Sequence, residues 1–149
     1  MTFLCANGRE RKIKSVSKYL IDWDGGCRSG IQKDVKQQIK PYWFADVVFE
    51  EFPVAGTRMT LDFYNATTKV AIEVDGNQHY RFNKFFHSNS RQNFLEQLKR
   101  DEKKEYFCEI NNIKLIRVLE SDVIDSNKYP KDLIEIELAM NKKEDDINL

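Results

Sequence analysis

The chain has 149 residues, of which 41% are hydrophobic and 32% are charged, and its 24 basic and 24 acidic side chains balance. This composition supplies enough apolar material for a core, which excludes wholesale disorder, and the length predicts a single domain over residues 1–149. No run of about 18 apolar residues occurs, so we expect no membrane partner, and three scattered cysteines predict a reducing, cytoplasmic compartment without a disulfide scaffold or structural zinc.

The charge is unevenly distributed along the chain. Residues 1–40 hold nine Lys/Arg against four Asp/Glu, residues 81–104 hold seven against three, and residues 131–149 hold three against six. The two basic segments could bind phosphates, or they could be ordinary solvated helix faces. Taken alone, the charge pattern leaves both interpretations open.

The first predicted element is a helix over residues 9–23, where apolar side chains recur at helical spacing between lysines. Asp24-Gly25-Gly26 ends it. Residues 1–27 are therefore expected to form a basic, helical extension ahead of the core.

A second helix is predicted to begin at Ser29 and to stop at Pro41. Ser29-Gly30-Ile31-Gln32 matches a capping box, in which the glutamine side chain reaches back to the helix start. That local role explains Gln32 more economically than a place near a metal.

The hydrophobic period then changes from helical to alternating. Residues 46–54, 58–65 and 69–75 are predicted as strands, joined by short turns into an antiparallel meander. Residues 80–90 are predicted as a loop.

The rest of the chain is predicted as a helix over about residues 91–110, a strand over residues 113–119, and a final helix from Pro130 to about Asn141. Residues 28–120 form the expected core, and residues 121–149 add the last helix and an acidic tail. The predicted fold class is α+β, with helices flanking one mixed four-stranded sheet.

Carboxylates interrupt the two most apolar strands. Alternation places Glu73 and Asp75 on one face of their strand, and Asp62 on the preceding strand can lie beside Glu73, while Leu61 and Phe63 point to the opposite face. Three converging carboxylates repel each other unless a divalent cation such as Mg²⁺ or Mn²⁺ compensates. The alternative is a solvent-facing acidic sheet face.

Two further polar residues accompany this cluster. His79 follows Asp75 by four residues and could move a proton or touch a phosphate, although a loop histidine is usually just exposed. Asp101 falls on the apolar stripe of the predicted 91–110 helix. It could orient His79, or it could pair with Arg100 or Lys104.

The chain resembles a known nuclease group over about residues 58–120. The matching segments are L-D-F-Y-N at 61–65, V-A-I-E-V-D-G-N-Q-H at 70–79, R-D-E-K-K at 100–104 and K-L-I-R-V at 114–118. This series resembles the very-short-patch-repair-like endonucleases of the PD-(D/E)xK superfamily. The resemblance implies a restriction-endonuclease-like core of order αβββαβ, here with extra N- and C-terminal helices.

The resemblance also implies roles for individual residues. Asp62 would be the principal ligand of Mg²⁺ or Mn²⁺, Glu73 a second ligand or the holder of a metal-bound water, and the carbonyl of Val74 a third. His79 would serve acid–base chemistry or contact the scissile phosphate, and Asp101 matches the group's helical carboxylate.

Two positions depart from the superfamily pattern. Asp75 stands where the superfamily has a lysine, so activation of water falls to His79, to the metal or to a relocated Lys104. Gln32 stands where the first helix would carry a glutamate, and it brings a carbonyl without a charge.

The predicted function is metal-dependent hydrolysis of DNA phosphodiesters. The candidate catalytic residues are Asp62, Glu73, Asp75, His79 and Asp101. The candidate phosphate-binding residues are Arg81, Lys84, Arg91, Lys99 and Arg100. A monomer with one such site would nick one strand, and double-strand cleavage would require a homodimer.

Two other functions are compatible with the sequence. The chain could be a nucleic-acid-binding module that has a nuclease fold without its chemistry, which the missing lysine and glutamate favour. It could also be a protein-interaction subunit that docks through residues 131–149, although a helix covering the sheet explains that segment as well.

Overall fold

The computed structural model describes residues 1–75 and 88–119, and its architecture is α+β as predicted. The elements in chain order are β1 (Thr2–Leu4), β2 (Glu10–Lys12), a 3-10 helix (Val16–Tyr19), α1 (Gly30–Trp43), β3 (Val48–Pro53), β4 (Thr60–Asn65), β5 (Val70–Asp75), α2 (Ser88–Ile110) and β6 (Lys114–Leu119). None of the described helices is long and apolar enough to cross a bilayer. The predicted helix from Pro130, the acidic tail and most of the predicted 80–90 loop lie outside the described residues.

The start of the chain is a hairpin, so the predicted helix over residues 9–23 is wrong. β1 and β2 pair antiparallel, and a turn carries Gly8 at a φ of 82°. Asn7-Gly8 is a strong hairpin signal, because both residues tolerate positive φ. The hairpin buries Phe3 among aromatic rings of the core, and this burial outweighs the helical spacing of residues 13–23.

Helix α1 begins as predicted and ends later than predicted. The Ser29 hydroxyl accepts a hydrogen bond from the Gln32 amide at 3.2 Å, which caps the helix. The helix continues through Pro41 to Trp43. Proline removes one hydrogen bond there, but it does so in the last turn, and the burial of Trp43 at 2% exposure holds that turn against the core.

The main sheet has the strand order β3-β4-β5-β6. The first three strands form the predicted antiparallel meander, and β6 pairs parallel to β5 with Glu73 opposite Arg117. A parallel neighbour requires a crossover connection, and α2 lies in the connection between the two strands. The mixed four-stranded sheet is therefore confirmed.

The sheet has an apolar cluster on each face. One cluster gathers Tyr64 and Ala71 with Phe107 and Cys108 of α2. The other gathers Phe63 and Ile72 with the buried side of α1. The sheet thus lies between the two helices, with β4 and β5 at its centre.

Candidate active site

The two central strands stop pairing at the position of the candidate carboxylates. The β4–β5 ladder runs from Asn65↔Val70 to Phe63↔Ile72 and goes no further. Leu61 packs in the same cluster as Tyr64, on the face opposite Phe63. The alternation predicted for Leu61 and Phe63 is therefore wrong, because the β3–β4 ladder is interrupted opposite Asp62, where Glu51 has a φ of 50°.

Asp62 occupies the gap at the end of the β4–β5 ladder. Its Oδ2 accepts a hydrogen bond from the Val74 amide at 2.8 Å, a donor that an uninterrupted ladder would have paired with the Leu61 carbonyl. Within a strand, the N–H and C=O of one residue point to the same side. The Val74 carbonyl therefore also faces the gap, next to the carboxylate that the sequence predicts as the principal ligand.

Gln32 holds the second oxygen of Asp62. Its side-chain amide donates to Asp62 Oδ1 at 2.9 Å. The capping-box role expected for this side chain is wrong, since only its backbone amide bonds to Ser29. Both residues are buried, so the bond fixes the orientation of the carboxylate.

A buried ion pair anchors the helix that carries Gln32. Lys36, one turn further along α1, is 1% exposed, and its ammonium lies 3.0 Å from Glu50 of β3. Removing one partner of a buried pair leaves an uncompensated charge. The pair therefore holds α1 against the sheet near the point where Gln32 meets Asp62.

Glu73 lies beside Asp62 and is 3% exposed. Burial, and then the neighbouring carboxylate of Asp62, raise the pKa of Glu73 to about 9, against the opposing effect of Lys104. In the absence of another cation, two adjacent buried carboxylates retain a proton near neutral pH. The expected alternative of a solvent-facing acidic surface is wrong, because Asp62, Glu73 and Asp75 are all buried.

Lys104 reaches this pair from helix α2. Its ammonium lies 2.7 Å from Glu73 Oε1, with side-chain exposures of 17% and 4%. A separation of 2.7 Å is that of a charge-assisted contact, and Lys104 lowers the pKa of Glu73 against the larger effects of burial and of Asp62. Lys104 therefore compensates only part of the charge that the two carboxylates would carry.

Asp75 points to the same side of β5 but is held by an arginine. Arg117 donates to both of its oxygens, at 3.1 and 3.2 Å, and also to the Asp101 carbonyl at 3.0 Å. Asp75 lines the same cavity as Asp62 and Glu73, as the expected convergence requires, but its charge is compensated by Arg117. Asp62 and Glu73 form the pair, and Asp75 locks β6 and α2 against β5.

Asp101 is buried on α2. One alternative expected it to pair with Arg100 or Lys104, but it forms an ion pair with neither among the described residues. Gln97 donates to its Oδ1 at 3.1 Å, and Arg117 lies 3.6 Å from the same oxygen. Its Oδ2 has no hydrogen-bond partner among the residues that the structure describes. Whether Asp101 orients His79 is untested, since His79 lies outside those residues.

A cavity of about 500 Å³ opens in front of these groups. The two carboxylates, the Val74 backbone, Lys104 and Asp101 line it, together with arginines from three segments. These are Arg28, Arg58 and Arg100. Of the predicted phosphate-binding residues, Arg100 lines the cavity, Arg91 and Lys99 are exposed on α2 without lining it, and Arg81 and Lys84 lie outside the described residues.

Sequence reasoning missed Arg28 and Arg58 and gave no role to Arg117. Arg28 precedes the helix cap and Arg58 lies in the β3–β4 turn. Neither segment has a periodic pattern that would show which way its side chains face, so the sequence does not reveal that both arginines line the cavity. Arg117 closes an ion pair over 42 residues with Asp75. The parallel register that brings them together requires the fold.

The predicted metal ligands, Asp62, Glu73 and the Val74 carbonyl, all offer oxygen atoms. Within the described ranges, no three histidine, cysteine, aspartate or glutamate side chains are grouped to hold a metal. Mg²⁺ is usually held by one or two carboxylates with several waters, and substrate phosphates complete its shell. Asp62, Glu73 and the Val74 carbonyl supply oxygen donors of that kind.

Comparison with known proteins finds partial relatives in viruses. "Uncharacterized protein 033L" of Invertebrate iridescent virus 3 is 37% identical over 78 residues, which are 52% of this chain and 40% of that protein. "Uncharacterized protein 094L" of Frog virus 3 is 41% identical over 66 residues, 44% of this chain and 43% of that protein. The chain thus spans less than half the length of these relatives. No family model and no solved structure matches it.

Proposed function

We propose that this chain is a Mg²⁺-dependent endonuclease of the PD-(D/E)xK type, with a restriction-endonuclease-like fold, and that it hydrolyses phosphodiester bonds of DNA. The observation that carries the proposal is the pair of buried carboxylates, Asp62 and Glu73, at the point where β4 and β5 diverge. Burying two adjacent carboxylates is unfavourable unless a cation or a proton compensates. A cavity ringed by arginines opens in front of them and offers room for a phosphate.

Asp62, Glu73 and the Val74 carbonyl would hold the cation. Gln32 and the Val74 amide bond one oxygen of Asp62 each, which orients the carboxylate before any cation arrives. When bound, a divalent cation lowers the pKa of a coordinated water and neutralises charge that develops on the phosphate. Glu73 lies beside Asp62 with its Oε1 against the Lys104 ammonium.

Lys104 would take the part of the lysine that the superfamily pattern has at the position of Asp75. Its ammonium lines the cavity and contacts Glu73, whereas Asp75 is occupied by Arg117. At this place the Lys104 ammonium would donate a hydrogen bond to the attacking water beside Glu73, and its charge would stabilise negative charge on the phosphate. His79 remains the predicted acid–base group.

A nucleic acid is the substrate class that the distribution of charge favours, and DNA is the one that the resemblance implies. The carboxylates are turned inwards and paired, while the arginines of the cavity are exposed at its mouth. A polyanion can therefore approach although the chain as a whole has no net charge. Contacts of this kind position a strand without reading its sequence.

The test is cleavage of a panel of end-labelled DNAs by the purified full chain. The panel contains a matched duplex, a mismatched duplex, a single strand and a branched junction, each with Mg²⁺, Mn²⁺ or EDTA. We expect metal-dependent cleavage of at least one of them, its loss in Asp62→Asn, and unchanged cleavage by Glu102→Gln, which removes an exposed carboxylate of α2. Cleavage that persists in Asp62→Asn would contradict the proposed site.

A second candidate is a nucleic-acid-binding module without catalysis. The ion pair between Asp75 and Arg117, where a nuclease of this pattern would have a free lysine, favours it. The same panel separates the two candidates when binding is recorded beside cleavage. Tight binding of every DNA with no cleavage in either metal would support the binding module.

A further inference from the structure

We propose that Arg28, Arg58 and Arg100 form a clamp on the sugar–phosphate backbone, gripping phosphates that flank the bond held at Asp62 and Glu73. The inference rests on the proposed function for the identity of the central site. It adds the residues that bind the substrate there, two of which lie outside the basic segment at residues 81–104.

The three arginines come from three separate parts of the fold. Arg28 lies just before the cap of α1, Arg58 in the turn between β3 and β4, and Arg100 on α2. All three line the cavity that contains Asp62 and Glu73. Cations from three segments around one opening can contact successive phosphates of a strand that crosses it.

These arginines are not used to neutralise the buried carboxylates. Lys104 and Arg117 form the ion pairs with Glu73 and Asp75, and Gln32 gives Asp62 a neutral hydrogen bond. Arg58 and Arg100 are exposed and have no ion pair within residues 1–75 and 88–119. The buried carboxylates are paired with Lys104 and Arg117, so the three guanidinium groups at the cavity remain available for a negatively charged ligand.

Arg28 is held only loosely. Its side chain is 74% exposed and lies 3.7 Å from Glu51, a carboxylate that already accepts a hydrogen bond from Thr60 at 2.9 Å. A surface ion pair at this distance contributes little. Arg28 can therefore turn to a phosphate, where a guanidinium binds two oxygens at once.

The cavity has a volume of about 500 Å³, and all three arginines line it together with the two carboxylates. A nucleic-acid strand could therefore place one phosphate at Asp62 and Glu73 while its flanking phosphates contact the arginines.

The experiment measures binding separately from cleavage. The Asp62→Asn chain is titrated into a short fluorescein-labelled DNA duplex in EDTA, and anisotropy is recorded over a range of salt concentrations. The slope of log K against log salt is negative. Each replacement of an arginine by alanine is expected to make it shallower by about 0.9, and the triple variant by about 2.7. Arg11→Ala is the matched control, because Arg11 is an exposed arginine of β2 that does not line the cavity.

Unchanged slopes in the three variants, or an equal loss in Arg11→Ala, would overturn the clamp. Circular dichroism of each variant checks that the fold is retained. Slopes that reveal the clamp, together with a parent chain that cleaves none of the DNAs in the panel, would retain this inference and refute the proposed nuclease. Cleavage by the parent chain with unaltered slopes would do the reverse. Competition by inorganic phosphate as strong as that by DNA would also contradict a clamp that spans several phosphates.

Discussion

Replacing Glu73 with glutamine tests whether this buried carboxyl carries a proton when no metal is bound. Burial and the Asp62 carboxylate raise the pKa of Glu73 to about 9, whereas a glutamate in an unfolded chain titrates near about 4.3. Between these two values the folded protein holds a proton that the unfolded chain has released. The free energy of unfolding must therefore fall as the pH rises through this window, because raising the pH favours the state that binds fewer protons.

The size of the effect follows from one proton. A difference of one bound proton changes the free energy of unfolding by about 1.4 kcal/mol per pH unit, or about 2.7 kcal/mol between about pH 6 and about pH 8. For a chain of this length that is a fall of roughly 5–11 °C in melting temperature. Glutamine is similar in size and cannot ionise, so Glu73→Gln is expected to lose this contribution.

The assay is urea unfolding in EDTA at several pH values within that window. The fluorescence of the tryptophans reports it, because Trp43 is 2% exposed in the native state. Glu102→Gln, which removes an exposed carboxylate from α2, is the matched control and should keep the parent slope. The other titrating groups are common to all three proteins, so the difference in slope isolates Glu73.

Equal slopes in the parent and in Glu73→Gln would refute the reasoning, since the carboxyl would then be ionised in both states. A magnesium arm extends the test. Mg²⁺ competes with the proton, so it should stabilise the parent more as the pH rises and should flatten the slope. If Mg²⁺ stabilised Glu73→Gln as much as the parent, the metal would bind at a site other than Glu73.

Three further substitutions probe the surroundings of the pair. Gln32→Met removes the hydrogen-bond donor to Asp62 and should reduce cleavage or metal affinity by about 10–100-fold. The measurement is the dependence of the cleavage rate on magnesium concentration, and an unchanged dependence would show that the hydrogen bond has no such role. Lys104→Ala should reduce the cleavage rate by about 10²–10³-fold with DNA affinity retained, and Lys104→Arg should recover part of it, whereas equal losses in both variants would contradict a role for the charge. Arg117→Met leaves Asp75 buried without its ion pair and should lower the free energy of unfolding by about 3–5 kcal/mol, and a loss below about 1 kcal/mol in urea unfolding would show that the pair is screened.

The central part of the fold was predictable because its signals are local. Short apolar runs bounded by turn residues indicate β4 and β5, and a carboxylate within such a run stands out against the pattern. The capping serine of α1 and the apolar stripe of α2 are equally local. The same logic failed at residues 9–23, where helical spacing was preferred to the Asn7-Gly8 turn signal that the hairpin uses.

The finer geometry of the site depends on contacts between distant segments. The side chain of Gln32 has a local explanation in the capping box, and only the packing of α1 on the sheet shows that it bonds to Asp62. Asp75 was expected among converging carboxylates because strand alternation places it there, but alternation does not reveal Arg117 on the neighbouring strand. Arg28 and Arg58 carry no pattern at all, and they meet at the cavity only because the chain folds.

The most direct test of the account is the rate at which supercoiled plasmid is nicked as Mg²⁺ is added, compared between the parent chain and Asp62→Asn. The account predicts nicking that rises with Mg²⁺, vanishes in EDTA and is lost in Asp62→Asn, with a folded protein in each case. Nicking at the parent rate by folded Asp62→Asn would contradict it, because the cation would then be held somewhere other than at Asp62 and Glu73.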